Sequence, residues 1–333
     1  MPTYAALSNA VLSVTAAGTT ERLTDRSVEC LAAHPERPER VFVGTFDGGL
    51  RRSSDAGASF ERIGGNVESD SVTAVALHPD DPDAVWVGTE PSAIYRSTDG
   101  GDSFARVGGL ENLPSRSAWS FPPRPETHHV RWIALDPNDP SRVYAAIEAG
   151  ALLRSTDGGE TWRDRPTGAR YDTHTLATHP DDPGRAYCAA GDGYAESADG
   201  GETWHHPQRG LDHRYCWSVA VDPGDPGTVL VSAADGAAKA HGGHGGTTPE
   251  SYLYRKQGGE PWERISGIPT GEGVLRAVLE SGTEAGELFA LNNRGLYRTA
   301  DGGDSWERIE IPWPDRYGES RASGLAVVPQ KGT

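Results

Sequence analysis

Apolar residues in this chain come in short alternating runs broken by turn residues, with no helical stripe. One pattern reads LAAHPERPERVFVGT from Leu31, VALHPDDPDAVWVGT from Val75 and IALDPNDPSRVYAAI from Ile133. It continues as LATHPDDPGRAYCAA from Leu176 and VAVDPGDPGTVLVSA from Val219. Each copy is an apolar run, a Pro-rich turn and a second alternating run, as expected of two antiparallel strands. The stretch that follows, such as AIYRSTDGGDSFARV, adds a third strand, a Gly turn and a fourth.

Six such four-stranded units start near Ser27, Ser71, His129, Asp172, Tyr215 and Val274. The C-terminal RASGLAVVP reads as a first strand without a successor. The N-terminal YAALSN, AVLSVTA and TERL read as second to fourth strands without a predecessor. Joining the ends closes a ring and removes exposed sheet edges. The expectation is an all-β, seven-bladed β-propeller of four-stranded antiparallel blades, about 47 residues each. It forms one domain over 1–333, with blade seven split between about 1–25 and 320–333.

A second repeat alternates with the first: SSDAGASF (Ser53–Phe60), STDGGDSF (Ser97–Phe104), STDGGETW (Ser155–Trp162), SADGGETW (Ser197–Trp204) and TADGGDSW (Thr299–Trp306). RKQGGEPW (Arg255–Trp262) is a decayed copy. This motif resembles the Asp-box, or BNR repeat, of propellers that include sialidases, xyloglucan-active glycosidases, sortilin-type receptors and photosystem II assembly factors. The seven-fold pattern is most similar to the assembly-factor-related and sialidase-like group. The box itself reads as structural: Asp55, Asp99, Asp157, Asp199 and Asp301 accept backbone N–H groups in a turn. His34, His78 and His179 alternate with Asp136 and Asp222 at equivalent Pro-rich turns, which marks them as caps.

Composition narrows the partners. The 333 residues carry a formal charge of −17, with 42 Gly and 24 Pro. That charge, without a basic stripe, argues against nucleic acid and anionic membrane. The N-terminus shows neither a signal-peptide pattern nor a membrane span, so a cytoplasmic location is expected. Cys30, Cys188 and Cys216 lack metal-type spacing and read as buried free thiols.

Candidate chemistry emerges from aligning the blades. Five residues before the turn His or Asp stand Glu29, Thr73, Arg131, His174 and Trp217, and by pattern Arg276 and Ser323 hold the same place, a column that breaks the apolar pattern in most blades. Seven before stand Ser27, Ser71, His129, Asp172, Tyr215, Val274 and Arg321. Both columns fall where the innermost strands begin, so they converge on the axis. Burying such groups is costly unless they are paired, hydrated or used.

Long insertions at 108–129, 235–251 and 311–320 share that face. The expected function is a hydrolase or lyase acting on a small anionic or sugar-like ligand in an axial pocket. Catalytic candidates are His174, His129, Asp172, Tyr215 and Glu29. Substrate-binding candidates are Arg131, Arg276, Arg321, Trp119, Trp217, Trp313 and His128. No cofactor is specified, but His129, His174, Asp172 and Glu148 suit a divalent metal, and His241 and His244 form a second, loop-borne pair. The alternative is a non-catalytic scaffold that binds a protein partner.

Overall fold

A computed structural model describes residues 2–242 and 246–328. Seven antiparallel sheets surround a common axis. Their innermost strands are Val28–His34, Val72–His78, Val130–Asp136, Thr173–Thr178, Tyr215–Asp222, Val278–Ser281 and Ala322–Val327. In the seventh sheet Ala322–Val327 pairs with Thr3–Leu7, which pairs with Ala10–Thr15 and then Gly18–Arg22. The chain ends therefore share one blade.

The fourth blade is lean at its outer edge. Three strands pair there, and the fourth is reduced to a bridge between Glu196 and His205. Pro207 follows within two residues and has no N–H to extend a ladder. The core lies between sheets, where Trp86, Tyr144, Tyr187, Tyr194 and Phe42 are fully buried. All three cysteines are free and buried in strands, and burial pushes the Cys30 and Cys188 thiols up to about 12.

The two repeats share one end of the ring, here called the turn face. In each Asp-box the carboxylate binds the turn: Asp157 Oδ1 accepts the Thr161 N–H at 2.9 Å and Oδ2 accepts its hydroxyl at 2.6 Å. The same pair of bonds recurs at Asp55, Asp99, Asp199 and Asp301. These donors, the hydroxyl first, hold the Asp157 carboxyl down at about 2. Gly57 closes the first box at φ 80°, and a Cβ there would meet Ser13 Oγ at 1.9 Å.

The turn histidines act as caps. Nδ1 of His34, His78 and His179 accepts the N–H two residues on, at 3.1 Å in each case. Asp136 and Asp222 do the same with a carboxylate oxygen at 2.9 and 2.8 Å. His34 Nε2 and His179 Nε2 also reach carbonyls of the next blade, Pro79 and Asp222.

The opposite end, the loop face, is built on a repeated irregularity. Strand pairing slips between Val28 and Cys30, Val72 and Ala74, Val130 and Trp132, Thr173 and Thr175, and Cys216 and Ser218. A slip beside Gly324 leaves out Ser323 in the same way. The extra residue of each bulge is Glu29, Thr73, Arg131, His174, Trp217 or Ser323. A bulge re-aims one side chain out of the strand alternation, which explains why that column breaks the apolar pattern.

Candidate functional site

Several side chains of this column tie to the first residues of the next innermost strand. Thr73 Oγ1 donates to the Val130 carbonyl at 2.7 Å, and Arg276 donates to the Ala322 carbonyl at 2.6 Å. His174 Nδ1 lies 2.7 Å from the Cys216 carbonyl. A carbonyl only accepts, so Nδ1 carries the proton. Nε2 of this fully buried ring has no hydrogen-bond partner.

Two carboxylates face that free nitrogen. Asp172 Oδ2 is 3.6 Å from it and Glu148 Oε1 is 3.9 Å. Their other oxygens are engaged: Asp172 Oδ1 accepts the Ala149 N–H at 2.9 Å, and Glu148 Oε2 pairs with His129 Nε2 at 2.9 Å. Burial alone would raise the Glu148 carboxyl, but His129, His174 and Arg131 outweigh it and hold it well below the usual range. Asp172 is raised, first by burial and then by Glu148 against the opposing pull of His174.

Positive charge gathers beside the trio. Arg131 and Arg276 stand over the Trp217 ring, at 4.6 and 3.5 Å from its centroid. Burial, and then the charges of Arg131 and Arg321, push the Arg276 guanidinium well below its usual range. Arg321 is exposed. Three guanidiniums sharing one locality repel one another, an arrangement that an anion would relieve.

His241 closes this side. It sits at the end of the short helix Ala237–His241, in a loop expected to be irregular. Its Nδ1 accepts from Arg276 Nε at 3.0 Å, so Nε2 carries the proton toward the Tyr215 hydroxyl, 2.9 Å away. Burial and Arg276 keep His241 neutral, and its partner His244 lies outside the described residues. Burial, then Glu148 and Asp172, raise the Tyr215 hydroxyl well above its usual range.

The candidate residues thus divide. His129, Arg131, Asp172, His174, Tyr215, Trp217 and Arg276 come together with Glu148. Glu29 stands apart from the trio, accepting from Ser27 Oγ at 3.3 Å. His128 anchors its loop through Ser92 Oγ at 2.8 Å, and burial and Arg116 push it down to about 4. Trp119 is buried in the third-blade core and donates to Ser115 Oγ at 2.7 Å. Trp313 packs against the seventh-blade core and donates to the Asn293 carbonyl at 3.1 Å. Both rings are taken up by packing because the long loops fold down onto the blades. Of the four metal-type candidates, Glu148, Asp172 and His174 bring ligand atoms within 4.8 Å of one another.

Within the trio Glu148 and His174 are buried and Asp172 is half-buried. A cavity of about 340 Å³ lies further along the axis, starting past His174 and Trp217 at Thr175 and Ser218 and running toward the turn face. Glu280 lines it beside Trp132 and Ile133, and desolvation pushes its carboxyl up to about 8 although part of its surface stays open.

Other groups escaped the reading of the sequence. Arg124 clamps Glu90 with two bonds of 2.9 and 2.6 Å. Among the described residues Tyr171 is the large apolar side chain left exposed, at 47 %. Glu280 had a signal: it interrupts a column otherwise filled by Ala33, Leu77, Leu135, Thr178, Val221 and Val327. Tyr171 had none, because its place depends on how its loop folds, and the sequence singled out His241 only as half of a loop-borne pair, not as the neighbour of Arg276 and Tyr215.

No protein-family model matches the chain, and no curated protein matches it. Solved structures do. An ancestral GH74 enzyme is 18% identical with a TM-score of 0.67, over 86% of this chain and 39% of that one. The GH74 xyloglucanase of Xanthomonas campestris is 21% identical with a TM-score of 0.63, over 85% and 45%. YCF48 bound to D1 peptide is 16% identical with a TM-score of 0.58, over 85% and 82%. The chain therefore spans less than half the length of these GH74 proteins. At such identities the likeness establishes the propeller fold alone. No helix among the described residues is long and apolar enough to cross a membrane.

Proposed function

We propose that the chain is a hydrolase or lyase acting on a small anionic or sugar-like substrate at the loop-face end of the axis. The observation that carries this reading is the buried, unpartnered Nε2 of His174 facing two carboxylates. A buried polar nitrogen without a partner costs about 1–3 kcal/mol unless a ligand or function uses it. Arg131, Arg276 and Arg321 supply the positive charge that an anionic substrate group would meet. The protonated Tyr215 hydroxyl is a proton donor at the mouth. Asp172 is partly exposed and Tyr171 beside it is open, which marks the side of approach. GH74 proteins among the structural neighbours accord with a sugar-like substrate but do not specify it.

A panel of chromogenic aryl glycosides and uronic-acid oligosaccharides tests the reading. The wild-type protein should turn over at least one member, and Asp172→Asn should lower kcat/KM by about 100-fold or more with an unchanged Tm. Turnover by neither, or equal turnover by both, defeats it.

The second reading, a protein-binding scaffold, draws on the bonds from Thr73, His174 and Arg276 to neighbouring blades. They make the ring a brace, and the YCF48–peptide structure shows a propeller of this shape holding a peptide. In that case His174→Ala should lower Tm strongly and alter no turnover.

A further inference from the structure

We infer that Glu148, Asp172 and His174 form a binding site for one divalent cation of the Zn²⁺ or Mn²⁺ class. The inference deepens the hydrolase or lyase reading and rests on it for the cation's use, though not for its binding. Imidazole nitrogen with two carboxylate oxygens is a donor set that suits these ions.

Three features of the trio distinguish it from an ordinary acidic cluster. First, His174 is fully buried, and its Nε2 is unpartnered and directed at both carboxylates. Second, each ligand is fixed through its other atom: His174 Nδ1 by the Cys216 carbonyl, Asp172 Oδ1 by the Ala149 N–H, and Glu148 Oε2 by His129. Orientation of a metal-binding histidine by a backbone carbonyl, and of a carboxylate by a second donor, is the usual outer support of such sites.

Third, the spacing is close to what a cation needs. Ligand bonds of about 2.0–2.2 Å place neighbouring donor atoms roughly 3.0–3.5 Å apart. The nitrogen-to-oxygen distances are 3.6 and 3.9 Å and all three donor atoms lie within 4.8 Å of one another, so a bound cation would draw the carboxylates in by roughly 0.1–1.3 Å. The Asp-boxes provide the contrast, since both oxygens of each carboxylate already receive donors from their own turn. His129 is a positioning residue here, holding Glu148 with its Nε2–H and standing 3.6 Å from Glu90 on its other side. The partly exposed Asp172 leaves a side on which water or an anionic substrate group can complete the coordination.

The test uses the full chain, freed of metal by a chelator and titrated with Mn²⁺ while free Mn²⁺ is followed by electron paramagnetic resonance. Zn²⁺ is measured in parallel by equilibrium dialysis. One equivalent should bind and raise Tm. Asp172→Asn and His174→Gln should weaken binding about 100-fold or more, and His129→Gln about tenfold. Glu280→Gln, on the axial cavity, should leave it unchanged. If His174→Gln fails to fold, the partly exposed Asp172→Asn carries the comparison. Binding that is substoichiometric, or equal in wild type and Asp172→Asn, overturns the site. One equivalent bound without turnover of any substrate supports the site and removes the hydrolase or lyase reading. Turnover by protein that binds no cation overturns the site and leaves that reading standing.

Discussion

The two faces of the ring handle polar groups in opposite ways. On the turn face the same solution recurs blade after blade: Ser or Thr and Asp close the box, and His or Asp caps the Pro-rich turn. Partners are mostly local, two to four residues away. On the loop face no two blades carry the same residue in the column that runs from Glu29 to Ser323, except for Arg131 and Arg276. Partners there cross blades, and His129 Nδ1, Arg131 Nε and His174 Nε2 lack hydrogen bonds. In a repeat protein, a polar residue that recurs with its partner is explained by the fold. One that appears in a single blade without a partner needs another reason to be there.

Three substitutions sharpen this contrast. Asp199→Ala removes the acceptor for the Glu202 and Thr203 N–H groups and the Thr203 hydroxyl. It should cost about 2 kcal/mol of stability in chemical denaturation and leave cation binding intact. A loss of cation binding would mean that the two faces are coupled.

Glu280→Gln should act through pH. The folded-state carboxyl titrates at about 8, above its ordinary 4.5. Between those values the folded chain holds a proton that the unfolded chain has released, so wild-type stability falls as pH rises across that window. The variant should be more stable than wild type above pH 8, by about 1 kcal/mol given water in the open cavity, and no more stable below pH 4.5. Parallel Tm profiles for the two proteins would refute an elevated Glu280.

The smallest change is expected from His34→Asp. The cap to Glu36 N–H survives, as at Asp136 and Asp222, and only the Nε2 bond to Pro79 is lost. Thermal melting should show a loss below about 1 kcal/mol. A larger loss would place the value of the cap in the ties between blades.

Much of this arrangement was legible along the chain because repetition aligns the blades against one another. The Asp-boxes, the His/Asp caps and the split seventh blade follow from local spacing. The column of Arg131, His174 and Arg276 stood out as a break in an apolar pattern, and at Arg131 and His174 a bulge supplies the cause. What local pattern does not encode is the path of an insertion. Trp119 and Trp313 sit on long aromatic loops that suggest an open binding face, yet both pack inward. His241 lies in a Gly-rich stretch without periodicity, yet its ring meets Arg276 and Tyr215. The pairing of Glu148 with His174 depends on the approach of neighbouring blades, which no single repeat describes.

The shared blade also sets an order of events. Thr3–Leu7 is synthesised before its partner Ala322–Val327, and six other innermost strands are made between them. Until then the early hairpin lacks its axial neighbour and the ring stands open. Closure is consequently a late, long-range step, slow relative to the local hairpins.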